Sequence, residues 1–563
     1  MIFSLLTALA VTSLLQNSSC FITYIEVRLP LPGERSPPGS PWPMPKSWHR
    51  SDHQLTIDPQ SFYISSGASD CDVIDEALRR YKKIAVTDLK GHKQTGLPEL
   101  QGLHVNVASG YQCGYPKHGD DESYKLDVPA SGVAELHANT VWGALRGLET
   151  FSQLVYQDKS GSLLINSSKI EDEPRYKYRG MLIDTARHFQ PIKTLKKNLD
   201  AMAYNKFNTF HWHIIDDQSF PLESKIYPNL TELAAYSPKH VYTHENIRDI
   251  IRYARYRGIR VIPELDTPGH TQALGKAFPW LLTPCYGEGP DRPYTPNYPE
   301  HASAEILNPM INDTYRIFKT LVEEVKSVFV DEYIHLGMDE VYYACWRSSP
   351  EIREFMDENN YTDYNQVEQH YVRKTLQNVK DTGYKYIIWQ DPIDNDVQAE
   401  PDSVVEVWKD TYLDHKMDKW ENYIVPIAQK GYQIILSACW YLNYISYGQD
   451  WKKYYLCDPR SFNGTEEQKD LVIGGEVCMW GEYVDGTNLL PRLWPRASAV
   501  AERLWSPATL TDVDSAAFRL DEHRCRMLRR GIPAQPILNG FCGDYEWDFE
   551  EDTPAVQASD VIA

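Results

Sequence analysis

The sequence predicts a (β/α)8 barrel, of the α/β class, preceded by a small α+β domain. The first observation is length: 563 residues exceed one compact core of ordinary size and suffice for a large domain plus a smaller one. The second is a repeat of short apolar strands and longer helical stretches, with about eight strands over roughly 300 residues, the rhythm of a barrel. The third is that acids and tryptophans recur where those strands end, the rim at which barrels carry their chemistry.

The elements follow in chain order. Residues 1–20 read as a signal peptide: Ile2 to Leu15 is apolar but too short to span a bilayer, and Ser18, Ser19 and Cys20 follow. No later stretch is long and apolar enough for a membrane helix, so a soluble protein entering the secretory route is expected. Residues 21–174 form the N-terminal domain. They open with a Pro-rich extended stretch, Leu29 to Pro45. Short strands and helices then alternate from Gln54 to Asn166, and Leu145, Leu148, Phe151 and Leu154 mark one face of a helix over Val141–Gln157.

After the polar break Glu171–Arg175, residues 175–563 hold the barrel and a C-terminal extension. The expected strands are Arg179–Asp184, Thr209–Ile215, Arg260–Leu265, Tyr333–Gly337, Tyr384–Trp389, Val404–Trp408, Gln433–Ser437 and Gly475–Trp480. An open doubly wound sheet would need fewer strands and a glycine-rich phosphate loop, and neither is found.

Composition narrows the function. A formal net charge of −21 leaves nothing to neutralise phosphates, which excludes nucleic acid. The 17 His would charge at acidic pH and relieve self-repulsion there. The 15 Trp and 37 Tyr suit the apolar faces of sugar rings, although most belong in the core. N-glycosylation sequons stand at Asn166, Asn229, Asn312, Asn360 and Asn463. Of 10 Cys, Cys20 leaves with the signal; nine remain, an odd number that implies a free thiol, and no C-x-x-C zinc spacing occurs.

The strand ends supply Asp184 and Arg187; Asp216 and Asp217; Glu264, Asp266 and His270; Asp339 and Glu340; then Trp389, Trp408, Tyr441, Trp480 and Glu482. Asp339-Glu340 matters for its place after an apolar strand. Neighbouring side chains on a strand face opposite ways, so both acids share a site only if the backbone turns there. Two close carboxyls push their pKa values apart, leaving one as acid and one as anion.

At these motifs the chain resembles the family 20 glycoside hydrolases, the β-N-acetylhexosaminidases, over nearly all of its mature length. The matching segments are Arg179–His188, Phe210–Asp217, Pro263–His270, Gly337–Glu340, Trp389-Gln390, Trp440–Asn443 and Trp480–Glu482. The resemblance implies retaining, substrate-assisted hydrolysis of terminal N-acetyl-β-D-hexosamines, with no cofactor and no metal. It implies that Glu340 is general acid, then base, and that Asp339 orients the 2-acetamido group whose oxygen attacks the anomeric carbon. Tyr441 would donate to that oxygen, while Trp389, Trp408 and Trp480 wall the pocket. Arg187 would fork onto hydroxyls, with an ion pair to Asp184 or Asp217 as its structural alternative. Glu482 would accept from hydroxyls on the far side of the ring. Asp217, His270 and Asn443 complete the expected substrate-binding set.

Two other readings compete. His211 and His213 share a strand face, so His213, Asp266 and His270 could line a metal site, as in metal-dependent barrel hydrolases. An inactive sugar-binding relative would ordinarily lack one of the two acids, and both are present.

Met338 stands where the family often has a second Gly, and a longer side chain there would shift the loop or narrow the pocket. Tyr444 follows Asn443 where relatives that accept a negatively charged C6 substituent carry Arg, so neutral terminal sugars are expected. The resemblance also implies Cys71–Cys113, Cys285–Cys345 and Cys525–Cys542 disulfides, with Cys439–Cys457 a further pair and Cys478 free. A homodimer is expected, with Tyr447 reaching the neighbouring site. Lysosomal and extracellular destinations both remain open, as does the choice between N-acetylglucosamine and N-acetylgalactosamine.

Overall fold

The computed structural model describes residues 33–542, apart from 69, 87–94, 109, 159, 296–305 and 412. The expected signal peptide and the end of the C-terminal extension lie outside the described residues.

The N-terminal part is a seven-stranded mixed sheet. Its strands are β1 (Ser47–Thr56), β2 (Tyr63–Ser66), β3 (Leu100–Val107), β4 (Tyr124–Val128), β5 (Gly132–Ala138), β6 (Tyr156–Gln157) and β7 (Leu163–Asp172). The order is β1-β7-β4-β5-β3-β2, with β6 pairing β7 at the edge. Strand β4 shows why one face is dry: Tyr124, Leu126 and Val128 are buried while Lys125 and Asp127 are exposed. Helices α1 (Asp72–Ala85) and α2 (Val141–Leu154) pack on that sheet. Thr140 caps α2, its Oγ1 accepting from Gly143 N at 3.1 Å. Every residue of α2 is buried because its second face meets the barrel, where Arg146 donates to Gly258 O at 2.9 Å.

The eight expected strands all occur, and they close into a parallel barrel. They are β8 (Tyr178–Asp184), β9 (Thr209–His213), β10 (Arg260–Glu264), β11 (Tyr333–His335), β12 (Lys385–Trp389), β13 (Val404–Val407), β14 (Gln433–Leu436) and β15 (Val472–Met479). Outward-facing Met181, Ile183, Phe210, Trp212, Val261, Ile334, Val405 and Met479 join the large core under the helices.

The barrel interior is layered. Tyr178, Ile262, Ile387, Val404 and Ile435 form an apolar floor. Above it lie His211, Glu264, His335, Glu406 and Glu476, all fully buried. At the top, Leu182, Trp389, Trp408, Tyr441, Cys478 and Trp480 cluster. Gly180 admits the middle layer, since a Cβ there would sit 2.1 Å from Glu476 Oε2.

Buried ion pairs join the two parts. Glu122 lies 2.8 Å from Arg146 and 2.6 Å from Arg179 of β8, and Lys206 lies 2.9 Å from Asp172. Removing one partner of such a pair leaves an uncompensated buried charge, worth about 3–5 kcal/mol.

All four expected disulfides are present, and Cys478 is the free, buried thiol among the described residues. The Cys439–Cys457 bridge closes the loop that carries Tyr441. The sequon asparagines 229, 312, 360 and 463 are exposed. Asn166 is buried in β7, donating to Ser51 O at 2.9 Å and accepting from Arg50 at 2.8 Å. No helix among the described residues is long and apolar enough to cross a membrane.

Candidate active site

Strand β11 stops at His335, and the backbone then turns through left-handed conformations at Gly337 (φ 63°), Met338 (φ 73°) and Glu340 (φ 49°). That turn meets the geometric condition for two adjacent acids to share a site. Gly337 is required at its start: a Cβ would fall 1.8 Å from Asp266 Oδ1. Met338 holds a conformation unfavourable for a side chain, with its N–H on Asp266 Oδ1 at 3.2 Å. Its side chain turns away from the pocket into the core and is fully buried, so it does not narrow the site.

The two acids differ in setting. Asp339 is 8% exposed, and its Oδ1 meets no hydrogen-bond partner among the described residues. The Glu340 side chain is 39% exposed at the mouth. Both face one imidazole: His270 Nε2 lies 3.6 Å from Asp339 Oδ2 and 3.3 Å from Glu340 Oε2. Burial, then the charges of Asp391 and Glu340, push the Asp339 carboxyl up to about 7 against the pull of His270.

A chain of short contacts runs behind them. His270 Nδ1 lies 3.3 Å from Asp216 Oδ1, and Asp216 Oδ2 accepts from His213 Nε2 at 2.7 Å. His213 Nδ1 in turn bonds Glu264 Oε2 at 2.6 Å. Arg187 lies 2.8 Å from Asp216 Oδ2 and 3.2 Å from Asp184 Oδ2, while its Nε is buried without a partner among the described residues. Its guanidinium lies over the Trp480 ring at 5.1 Å. Arg187 is thus ion-paired to Asp184 and Asp216, and it still keeps a donor.

The carboxylate within this chain is Asp216. Asp217, the neighbour singled out from the sequence, accepts instead from Gln272 N at 2.9 Å, and burial raises its carboxyl. In the pair Asp216-Asp217 residue type alone offers no way to choose. The signal would have been the spacing to His213, three residues earlier, across the turn that leaves β9.

The aromatic wall assembles from four strands. Trp389 donates to Glu264 Oε1 at 3.0 Å, and Trp408 donates to Asp391 Oδ2 at 2.7 Å. Tyr441 stacks on Trp408 at 6.2 Å and lies 6.4 Å from Trp480, which is 6.0 Å from Trp389. Burial pushes the Tyr441 phenol well up, so it stays a neutral donor. Asn443 sits beside this wall, with Oδ1 buried and lacking a partner among the described residues and its carbonyl held by Arg492 at 2.5 Å. Glu482 stands exposed at the rim, its carboxyl raised by the protein mass behind it against the pull of Arg187.

The histidines of β9 do share a face; of the expected metal set, His213 groups with Glu264 and Asp266, and His270 groups with Asp266 and Asp339, the ligand atoms of each group lying within 4.8 Å of one another. Their chemistry does not suit a metal. Both ring nitrogens of His213 are bonded to carboxylates, and His211 bonds Glu476 at 2.6 Å with Glu264 3.0 Å from its other nitrogen. An imidazole held by two carboxylates is the imidazolium, which has no lone pair to offer. Although burial opposes it, Glu476 and Glu264 raise His211 to about 10. Prolonged dialysis against a chelator is therefore expected to leave turnover unchanged; a loss restored by zinc would contradict this reading.

The same buried groups set a pH dependence of stability. Burial raises Asp339 and Glu406 to about 7 and Glu368 to about 8, and His211 stands at about 10. Each holds a proton in the fold that the unfolded chain releases near 4 for a carboxyl or 6.5 for His. Their contribution is complete below those unfolded values and is lost as pH rises through the folded ones. His118 and His370, lowered to about 4 by burial, and His523, lowered well below the usual range by burial, act oppositely but are fewer. Scanning calorimetry should show a melting temperature at least about 3 °C higher at pH 5 than at pH 8; a lower one would contradict the assignment.

The profile of the glycosyl hydrolase family 20 catalytic domain matches residues 176–508. The chain belongs to glycosyl hydrolase family 20. A second profile, described as beta-acetyl hexosaminidase like, matches residues 41–154, which hold β1 to β5 of the N-terminal sheet and both of its helices. Among similar proteins, the mouse beta-hexosaminidase subunit beta is 47% identical, covering 90% of this chain and 93% of its own. The human subunit beta is 45% identical over 96% of both chains, and the rat subunit alpha 44% over 90% and 95%. A solved chitobiase of Flavobacterium johnsoniae superposes with a TM-score of 0.75 at 31% identity, covering 87% of this chain and 73% of that one. This family 20 chain is a glycoside hydrolase with β-N-acetylhexosaminidase activity.

Proposed function

We propose that the enzyme releases terminal non-reducing N-acetyl-β-D-glucosamine and N-acetyl-β-D-galactosamine from glycans and glycoconjugates, with retention, using the substrate's own acetamido oxygen as nucleophile. The observation that carries this is the placement of the acids. They are adjacent on one left-handed turn, both facing His270 Nε2, one buried and one partly exposed. In this reading Glu340 serves the leaving-group face, while Asp339 serves the acetamido group that attacks the opposite face and does not itself bond the anomeric carbon.

In this reading Glu340 protonates the glycosidic oxygen, then takes a proton from the water that opens the oxazolinium ion. A neutral amide oxygen is a weak nucleophile. It needs a held geometry, which Trp389, Trp408, Trp480 and the Tyr441 hydroxyl supply, and a negative neighbour, which Asp339 supplies. The positive charge that develops favours ionised Asp339, so reaction draws its proton away. Asp216 and His270 position Glu340. Arg187, Asn443 and Glu482 meet the ring hydroxyls, and Asp217 holds the loop that carries His270 through Gln272 N. Tyr444, where an Arg would meet an anionic C6 group, supports neutral sugars. Exposed Ile445 (79%), Tyr447 (91%) and Tyr483 (77%) beside the site support a homodimer joined there. The apolar leader, the sequons and the disulfides support passage through the secretory pathway to a lysosomal or extracellular destination.

The test is an aryl β-N-acetylglucosaminide beside the matching aryl β-glucoside. The reading expects cleavage of the first at least about 10³-fold faster; comparable rates would overturn it.

A further inference from the structure

The acyl-pocket wall and the acid stand on different strands, Trp408 after β13 and Glu340 after β11, yet one carboxylate reaches both. Asp391 follows β12 by two residues and is 5% exposed. Its Oδ1 accepts from the Glu340 backbone N–H at 3.3 Å, and its Oδ2 accepts from Trp408 Nε1 at 2.7 Å. Lys409, next to Trp408, places Nζ 3.0 Å from Asp391 Oδ1 and 2.8 Å from Asp394 Oδ2. The neighbouring Gln390 holds the same turn, accepting from the Trp408 and Lys409 backbone N–H groups at 2.9 and 3.0 Å.

We infer that Asp391 is a positioning residue that fixes the tilt of Trp408 together with the seat of Glu340, and so determines which N-acyl group the pocket accepts. The inference rests on the acetamido-pocket reading above. An indole has one polar handle, Nε1–H, and no other bond fixes how its face meets the acyl methyl. Here that handle and the catalytic loop share one anion. A shift of the wall is therefore a shift of the acid. An Asn at this position cannot accept from both N–H groups with both of its side-chain termini, because one of them is itself a donor.

The experiment compares N-acetyl and N-propionyl aryl β-glucosaminides in the wild type, Asp391→Asn and Trp408→Phe. One methylene in a tight pocket is discriminated about 10–200-fold, so the wild type should strongly favour the acetyl substrate. In Asp391→Asn, kcat/KM for the acetyl substrate should fall about 10-fold or more, and the acetyl-to-propionyl ratio should fall about 5-fold or more. Trp408→Phe keeps a ring but deletes the Nε1 handle, and should shift the ratio the same way even if Asp391→Asn folds poorly. A purely structural role would slow both substrates by one factor; an unchanged ratio in folded Asp391→Asn, or in Trp408→Phe where Asp391→Asn does not fold, overturns the inference. If the wild type cleaves the glucoside lacking an acetamido group equally well, it is the proposed function that fails.

Discussion

Glu340→Gln is expected to cut turnover of substrates with poor leaving groups by about 10²–10⁴-fold, and to cut it far less for an aryl leaving group that needs little protonation. The expectation comes from where Glu340 sits. Its side chain is 39% exposed, at the mouth of the pocket, where a leaving-group oxygen would emerge. His270 lies 3.3 Å from it and is itself held by Asp216, so the acid is oriented from behind. The exposure also means the amide brings no burial penalty, and the variant should melt within about 1 °C of the wild type. An equal loss on both leaving groups would remove Glu340 from the acid role.

Asp339→Asn is expected to lower kcat by about 10²–10³-fold with little change in KM, because the charge it removes is felt mainly as the oxazolinium ion forms. Stability should move the other way. Burial pushes this carboxyl up to about 7, so above that pH the fold holds an unfavourable buried anion. A neutral amide of the same shape removes that cost, and the melting temperature at pH 8 should be no lower than in the wild type. Normal turnover in this variant would remove Asp339 from the mechanism.

The barrel was legible because parallel strands covered on both faces read as apolar runs, and outward residues such as Ile183, Phe210 and Ile334 carried that signal. The inward residues could not carry it. His211, Glu264, His335, Glu406 and Glu476 break the apolar pattern, and only closure of the barrel shows that they satisfy one another. Strand ends were legible to within a few residues: the expected run Thr209–Ile215 stops at His213, and β15 begins at Val472 rather than Gly475. The acid pair was legible from its place after an apolar strand, where two adjacent acids can share a site only if the backbone turns. Asp216 was legible as a strand-end acid but not as the member of the Asp216-Asp217 pair that joins the chain behind the site, and Asp391 was not legible as a member of the site. Each is one acid among 78, and what distinguishes it is a contact with a residue on another strand.

The most direct test of the mechanism is kcat/KM across aryl β-glucosaminides whose N-acyl group is acetyl, fluoroacetyl, difluoroacetyl and trifluoroacetyl. Fluorine withdraws electrons from the amide oxygen while changing its size little. If that oxygen is the nucleophile, rates should fall steeply along the series, by about 10-fold or more per fluorine. A flat series would show that the nucleophile lies elsewhere and would contradict the account.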